Sequence, residues 1–209
     1  MARRDHDNYP TPFDCALAIM KRVAEALPPK RFLYEPSAGD QAPFVKASRL
    51  VYPDAIVTAV DIRAEARLPC LEAGAHGFYQ EDYFDHLRVE GGFMDQSLII
   101  GNPPFSLAEK FILSTLDVLP VGGHLAFLLN IRILAGLGRA KRLWSRRNLL
   151  AWFPLAQRPQ FIKNGNDNND YGVFIWEGGH LGTGPMLPPL IWKPGKLKQP
   201  KKKTKKPTQ

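Results

Sequence analysis

The chain has 209 residues, 44% of them apolar, and a formal net charge of +8. That size supports one core, so a single domain over residues 1–192 is expected, and two cysteines, Cys15 and Cys70, are too few for a disulfide framework and lack metal-ligand spacing. No secretory-type apolar run opens the chain and no stretch reaches the roughly 18 apolar residues of a membrane span, which points to a soluble, cytoplasmic protein with no membrane partner.

Strand-like and helix-like segments alternate along the chain. RFLYEP (31–36) reads as a buried strand, APFVKASRLVYP (42–53) as a helix ended by Pro53, and AIVTAVDI (55–62) as a second strand. AEARLPCLEAG (64–74) reads as a helix broken near Pro69, HGFYQ (76–80) as a third strand and SLII (97–100) as a fourth. In SLAEKFILSTLDVL (106–119) the apolar spacing is helical, with Ser106 as N-cap and Glu109 completing a capping box. GGHLAFLLN (122–130) is a fifth strand, 133–147 a basic helix, and LLAWFPL (149–155) and YGVFIWE (171–177) are the last two strands. Strands alternating with helices predict an α/β fold, a seven-stranded, mainly parallel, Rossmann-like sheet with helices on both faces and right-handed crossovers. Residues 178–200, rich in Gly and Pro, lead into KKKTKK, and 193–209 read as a disordered Lys-rich tail.

Charge is unevenly placed. Residues 1–117 hold 12 Lys/Arg against 17 Asp/Glu, residues 118–192 hold 8 against 3, and the tail holds eight lysines and no acid. No acidic residue lies between Asp117 and Asp167, where Arg132, Arg139, Arg142, Arg146 and Arg158 fall. This asymmetry suits a polyanionic partner on the C-terminal half; a solvated basic face is the alternative.

In parallel sheets ligands sit beyond the carboxyl ends of the strands, and these ends carry the polar residues. The first strand ends in EPSAGD, with Glu35 and then Gly39, where backbone can approach a ligand closely. The second ends in Asp61, 22 residues after Gly39, the spacing of an acid that binds ribose hydroxyls. EDYF follows the third, with Asp82 placed to accept from an adenine amine and Tyr83 or Phe84 to flank the ring. The fourth empties into Gly101-Asn102-Pro103-Pro104-Phe105, where two prolines stop the strand.

Taken in order, EPSAGD, VDI, EDYF and NPPF resemble the successive motifs of the class I S-adenosylmethionine-dependent methyltransferases that modify planar amino nitrogens. NYPTPFDCALAIM (8–20) resembles the N-terminal cofactor-lid segment of that family, which implies that Tyr9, Thr11 and Pro12 join Glu35, Gly39, Asp61, Asp82, Tyr83 and Asn102 around S-adenosyl-L-methionine. RPQFIKNGNDNNDYGVFIW (158–176) resembles the target-base segment and final hairpin of phage-type DNA adenine methyltransferases, which makes Arg158 and Phe161 substrate contacts and DNA the expected partner. Two departures stand out: Gln41 occupies the place of a second glycine, either narrowing the cofactor's approach or marking an early helix start, and no inserted recognition domain is present.

The resemblance implies a specific chemistry. The exocyclic amine of a base is a poor nucleophile because its lone pair is delocalised into the ring. The Asn102 side-chain oxygen and the Pro103 carbonyl are expected to accept that amine's hydrogens, Pro104 to keep the acceptors rigid, and Phe105 to stack against a flipped base, with Phe161 on its other face. Lys201, Lys202 and Lys203 are expected to neutralise phosphates. No metal is implied, since the five histidines show no paired spacing. The same acceptors also suit a cytosine N4 amine, a base amine of ribosomal RNA or a glutamine amide, and a non-catalytic nucleic-acid-binding module is the reading from a different class.

Overall fold

A computed structural model describes residues 9–90, 93–146, 148–161 and 168–179. Its strands are β1 (Phe32–Glu35), β2 (Ile56–Asp61), β3 (Gly77–Gln80), β4 (Ser97–Gly101), β5 (His124–Asn130), β6 (Leu149–Pro154) and β7 (Tyr171–Glu177), and its helices are α1 (Phe13–Ala26), α2 (Pro43–Val51), α3 (Arg67–Glu72), α4 (Tyr83–Glu90), α5 (Ala108–Val118) and α6 (Leu137–Arg142).

The seven strands form one sheet in the order β3-β2-β1-β4-β5-β7-β6. The pairs from β3 through β5 are parallel. β7 runs antiparallel between β5 and β6. The chain winds outward from β1 to β3 and then returns to place β4 on the other side of β1. That reversal opens a crevice at the carboxyl ends of β1 and β4, where doubly wound sheets bind ligands.

Burial follows the pleat. Within β4, Leu98 and Ile100 join Met20, Val23, Phe44 and Leu128 on one face, while Ile99 joins Ile112, Phe127, Phe174 and Trp176 on the other. A strand buried on both faces takes apolar side chains on both, which is why Leu98, Ile99 and Ile100 form an unbroken run, while the buried Ser97 hydroxyl donates to the Met94 carbonyl. Each such Leu or Ile contributes about 1.5–3 kcal/mol.

Several helices differ from expectation. α1 and α4 were not read as helices. The N-terminal turn of α4 is capped by Asp82, whose Oδ1 accepts from the Phe84 N–H at 2.7 Å. α3 passes through Pro69 because the proline lies in the first turn, where its missing N–H costs nothing. α5 starts at Ala108 with Leu107, not Ser106, as N-cap, and the Glu109 carboxylate pairs with Arg142 at 2.8 Å. The basic helix expected over 133–147 is broken into a 3-10 turn at 131–134, α6, and a second 3-10 turn at 144–146. Gly136, at φ +118°, separates the first two.

Candidate active site

A cavity of about 580 Å³ lies at the crevice. Its wall includes Tyr9, Thr11, Glu35, Gly39, Asp61, Asp82, Tyr83, Asn102 and Pro104. Eight of the nine expected cofactor contacts are thus brought together. Pro12, the ninth, instead lines a separate groove with Phe153 and Arg158.

Glu35 ends β1 and is 3% exposed. Neither carboxyl oxygen has a hydrogen-bond partner among the described residues. Burial first, and then the Asp61 charge, push its carboxyl well above the ordinary range, and the Ser37 amide opposes them without making a formed bond. Its neighbour across the crevice is Gly101 at the end of β4. A Cβ there would lie 2.2 Å from Glu35 Oε1, so only glycine leaves room for the acid.

Asp61 ends β2. Its Oδ2 accepts from the Gly39 N–H at 2.8 Å, with Gly39 at φ +70°, a backbone conformation that favours glycine. Arg63 supplies the other donors from its own N–H, Nε and Nη2. Burial alone would raise the Asp61 carboxyl, but the Arg63 and Gly39 hydrogen bonds outweigh it and hold the group below the ordinary range. Sequence reading missed Arg63, although an arginine two residues beyond a strand-end acid was a usable signal. Tyr83 is largely inside the core, stacked on Phe111 with ring centroids 5.0 Å apart and sharing a 2.9 Å hydrogen bond with Thr115. The Phe84 ring is covered by the Lys110 ammonium 3.5 Å from its centroid. Gln41 lines the cavity in the turn before α2 and is exposed, so it does not begin a helix. The left-handed residue in that turn is Ala42, at φ +46°.

The Asn102 amide is tied to the segment that precedes α1. Its Nδ2 donates to the Tyr9 carbonyl at 3.2 Å and to Thr11 Oγ1 at 3.1 Å. A main-chain carbonyl can only accept, so the amide's orientation is settled and its oxygen is turned away from that segment. That oxygen, Oδ1, is buried and has no partner among the described residues. Pro103 and Phe105 do not belong to the cavity wall. The Phe105 ring stacks on Tyr9, with centroids 5.6 Å apart and planes at 20°, and meets Phe161 edge-on at 6.0 Å. Phe161 is 5% exposed and sits in the core cluster. Tyr9 therefore stands between Phe105 and the cavity.

The basic half is more neutralised than charge counting suggests. Arg146 pairs with Asp117 at 2.6 Å and Arg158 with Asp170 at 2.9 Å, while Arg139 and Arg142 share Glu109. Lys201, Lys202 and Lys203 lie outside the described residues, as does the 193–209 tail.

The donor set can be tested against a ligand. Among the described residues, the acids Glu35, Asp61, Glu81 and Asp82 face one cation, Arg63, around the cavity. Such a wall favours a cationic ligand and disfavours a pyrophosphate. The orphaned Glu35 oxygens suit an ammonium or sulfonium, and the close backbone at Gly39 suits a ribose. A nucleoside bearing a positively charged side chain fits these residues. Burial pushes the Cys15 thiol up to about 11, helped by the Asp14 charge, and the Cys70 thiol up to about 12, helped by Glu35, so neither supplies a thiolate nucleophile near neutral pH. Among the described residues no group of three or more His, Cys, Asp or Glu could hold a metal ion, and no helix is long and apolar enough to cross a membrane.

No protein-family model and no curated protein matches this sequence. Solved structures do match in three dimensions. The type I restriction-modification methyltransferase subunit from Streptococcus thermophilus superposes with a TM-score of 0.65 at 15% identity, covering 84% of this chain and 47% of its own. A protein described as a class I S-adenosylmethionine-dependent methyltransferase from Listeria monocytogenes gives 0.61 at 14% identity, covering 90% of this chain and 65% of its own. An rRNA methylase from Streptococcus thermophilus gives 0.51 at 16% identity, covering 82% of this chain and 99% of its own. This chain thus spans about half of the first protein and two thirds of the second. It has the Rossmann-like fold of the class I methyltransferases, as the order of its strand-end motifs led us to expect.

Proposed function

We propose that this chain transfers the methyl group of S-adenosyl-L-methionine to the exocyclic amine of adenine in DNA. The observation that carries the reading is the Asn102 amide oxygen at the crevice, which is buried, without a partner among the described residues and fixed in orientation. An unsatisfied acceptor inside a protein costs about 1–3 kcal/mol. A site that maintains one gains only when a donor arrives, and an amine with two hydrogens is such a donor.

Asn102 Oδ1 and the Pro103 carbonyl take the two amine hydrogens, which favours a pyramidal nitrogen with its lone pair available. Pro103 and Pro104 keep the backbone from relaxing when the base departs. Glu35 and the acidic wall hold the cationic cofactor, Asp61 and Gly39 mark its ribose, and Asp82 marks its adenine. When bound, the cofactor supplies an electrophilic methyl on sulfur: the N–C bond forms as the S–C bond breaks, and one amine proton leaves to solvent. The Tyr9 ring, backed by Phe105, gives a base an aromatic surface.

The preference for DNA rests on the RPQF and YPTP segments. A short or relaxed sequence choice goes with this reading, and the lysine tail adds phosphate contacts that read no bases. Titration of the purified protein with S-adenosyl-L-methionine, followed by transfer assays on DNA and ribosomal RNA, tests the reading. Binding together with transfer to DNA adenine supports it. Transfer to RNA alone, or no binding at millimolar cofactor, overturns it.

A further inference from the structure

One short segment, Tyr9-Pro10-Thr11, holds both ends of the tetrapeptide Asn102–Phe105. At one end the Tyr9 ring stacks on Phe105. At the other, the Tyr9 carbonyl and Thr11 Oγ1 each take one of the two Asn102 Nδ2 hydrogens. The terminal torsion of an asparagine has no sharp minima, so nothing intrinsic to Asn102 decides which of its two ends faces the cavity. Turned the wrong way, the amide would present donors to an amine that also donates. Thr11 is 2% exposed, so water does not compete for its hydroxyl. It is also flanked by Pro10 and Pro12, which restrict the backbone on both sides.

We propose that Thr11 is a positioning residue for the transfer: the Tyr9 carbonyl fixes which end of the Asn102 amide it meets, and the Thr11 hydroxyl oxygen, accepting the second Nδ2 hydrogen, holds that amide in place with Oδ1 toward the target amine, a role that rests on Asn102 being the catalytic amide. The family resemblance implied a cofactor contact for Thr11, and the two roles differ in what they control. A positioning hydroxyl sets turnover, whereas a cofactor contact sets cofactor affinity.

Three variants of the full chain decide the matter. Thr11→Val removes the acceptor at nearly constant volume and leaves the Tyr9 carbonyl as the only restraint. We expect kcat to fall about tenfold or more, with the dissociation constant for S-adenosyl-L-methionine changed less than about twofold by calorimetry. In the cofactor-free protein, the Asn102 side-chain amide protons should lose exchange protection by NMR. Thr11→Ser keeps the acceptor and loses only a methyl group, so it should restore most of kcat and the protection. If Thr11→Ser is as impaired as Thr11→Val, or if Thr11→Val weakens cofactor binding while kcat holds, the proposal is overturned. Asn102→Ala, assayed alongside, separates this inference from the reading beneath it. An active Asn102→Ala removes the catalytic amide altogether. An inactive one beside a fully active Thr11→Val removes only the role of Thr11.

Discussion

Arg63 closes on Asp61 as a fork, with Nε 2.9 Å from Oδ1 and Nη2 3.0 Å from Oδ2. Together with the Arg63 and Gly39 backbone N–H groups, this gives each carboxylate oxygen two donors. A carboxylate offers about four acceptor sites, so Asp61 is full. A ribose diol can bind there only where the Arg63 side chain gives way, and the free protein thus holds the expected ribose acceptor in competition with its own arginine.

Replacing Arg63 with Ala should therefore leave cofactor affinity unchanged or raise it by a few fold, since two acceptor sites are released while Gly39 keeps its bond. Calorimetry with S-adenosyl-L-methionine checks this. A tenfold loss would show that Arg63 is itself a ligand contact.

Glu35 should make cofactor binding depend on pH. Its carboxyl is raised well above the ordinary 4.5, so the free protein stays protonated over a range where an exposed acid is ionised. A bound cation favours the carboxylate and releases the proton. Affinity should rise with pH toward the raised value and level off above it, and Glu35→Gln should flatten the profile. For stability of the free protein the sign is reversed: the raised value favours folding below the ordinary range and loses that advantage as pH rises through it. A Glu35→Gln profile with the wild-type slope would assign the titration elsewhere.

Gly101→Ala should disturb the crevice from its floor. The new Cβ meets Glu35 Oε1 at 2.2 Å and Cδ at 3.0 Å, so the buried acid must shift from its place in the cavity wall. Overpacking of this kind costs about 1–3 kcal/mol. Denaturant titration should show that loss along with weaker cofactor binding. A variant with wild-type stability and affinity would contradict the packing described here.

At the opposite end of the sheet, Lys30 Nζ donates to the Gly122 carbonyl at 3.0 Å and lies 2.6 Å from His124 Nδ1. Burial lowers the lysine to about 8, opposed by the Glu177 charge. Between about 8 and the ordinary 10.5 the unfolded chain binds more protons, so folded stability should rise with pH across that window. Burial and the Lys30 charge also lower His124, which adds stability above the ordinary 6.5 that fades as pH falls through the lowered value. Lys30→Met should remove the alkaline slope. Equal slopes for the variant and the wild type between about pH 8 and about pH 10 would sink this assignment.

The strand ends were legible because a doubly wound sheet needs apolar strands and leaves polar residues only where they stop. Glu35, Asp61 and Asn102 stood out on that ground, and the structure brings all three to one cavity. Other features were not legible, because they depend on partners distant in sequence. Glu109 had the spacing of a capping box, and its pairing with Arg142, 33 residues away, was not foreseen. Helix α4 was missed because YFDH has weak helical preference and its cap, Asp82, had been given a ligand role. The insertion of β7 between β5 and β6 is a matter of pairing, which periodicity does not encode.

The central claim is methyl transfer to an exocyclic amine accepted by Asn102. DNA incubated with the protein and methyl-deuterated S-adenosyl-L-methionine, digested to nucleosides and analysed by mass spectrometry, tests it most directly. The account predicts labelled N6-methyladenine with the wild type and a loss of about 10²–10³ in its rate of formation with Asn102→Ala. Label on a ring carbon or ring nitrogen, or equal labelling by Asn102→Ala, would contradict it.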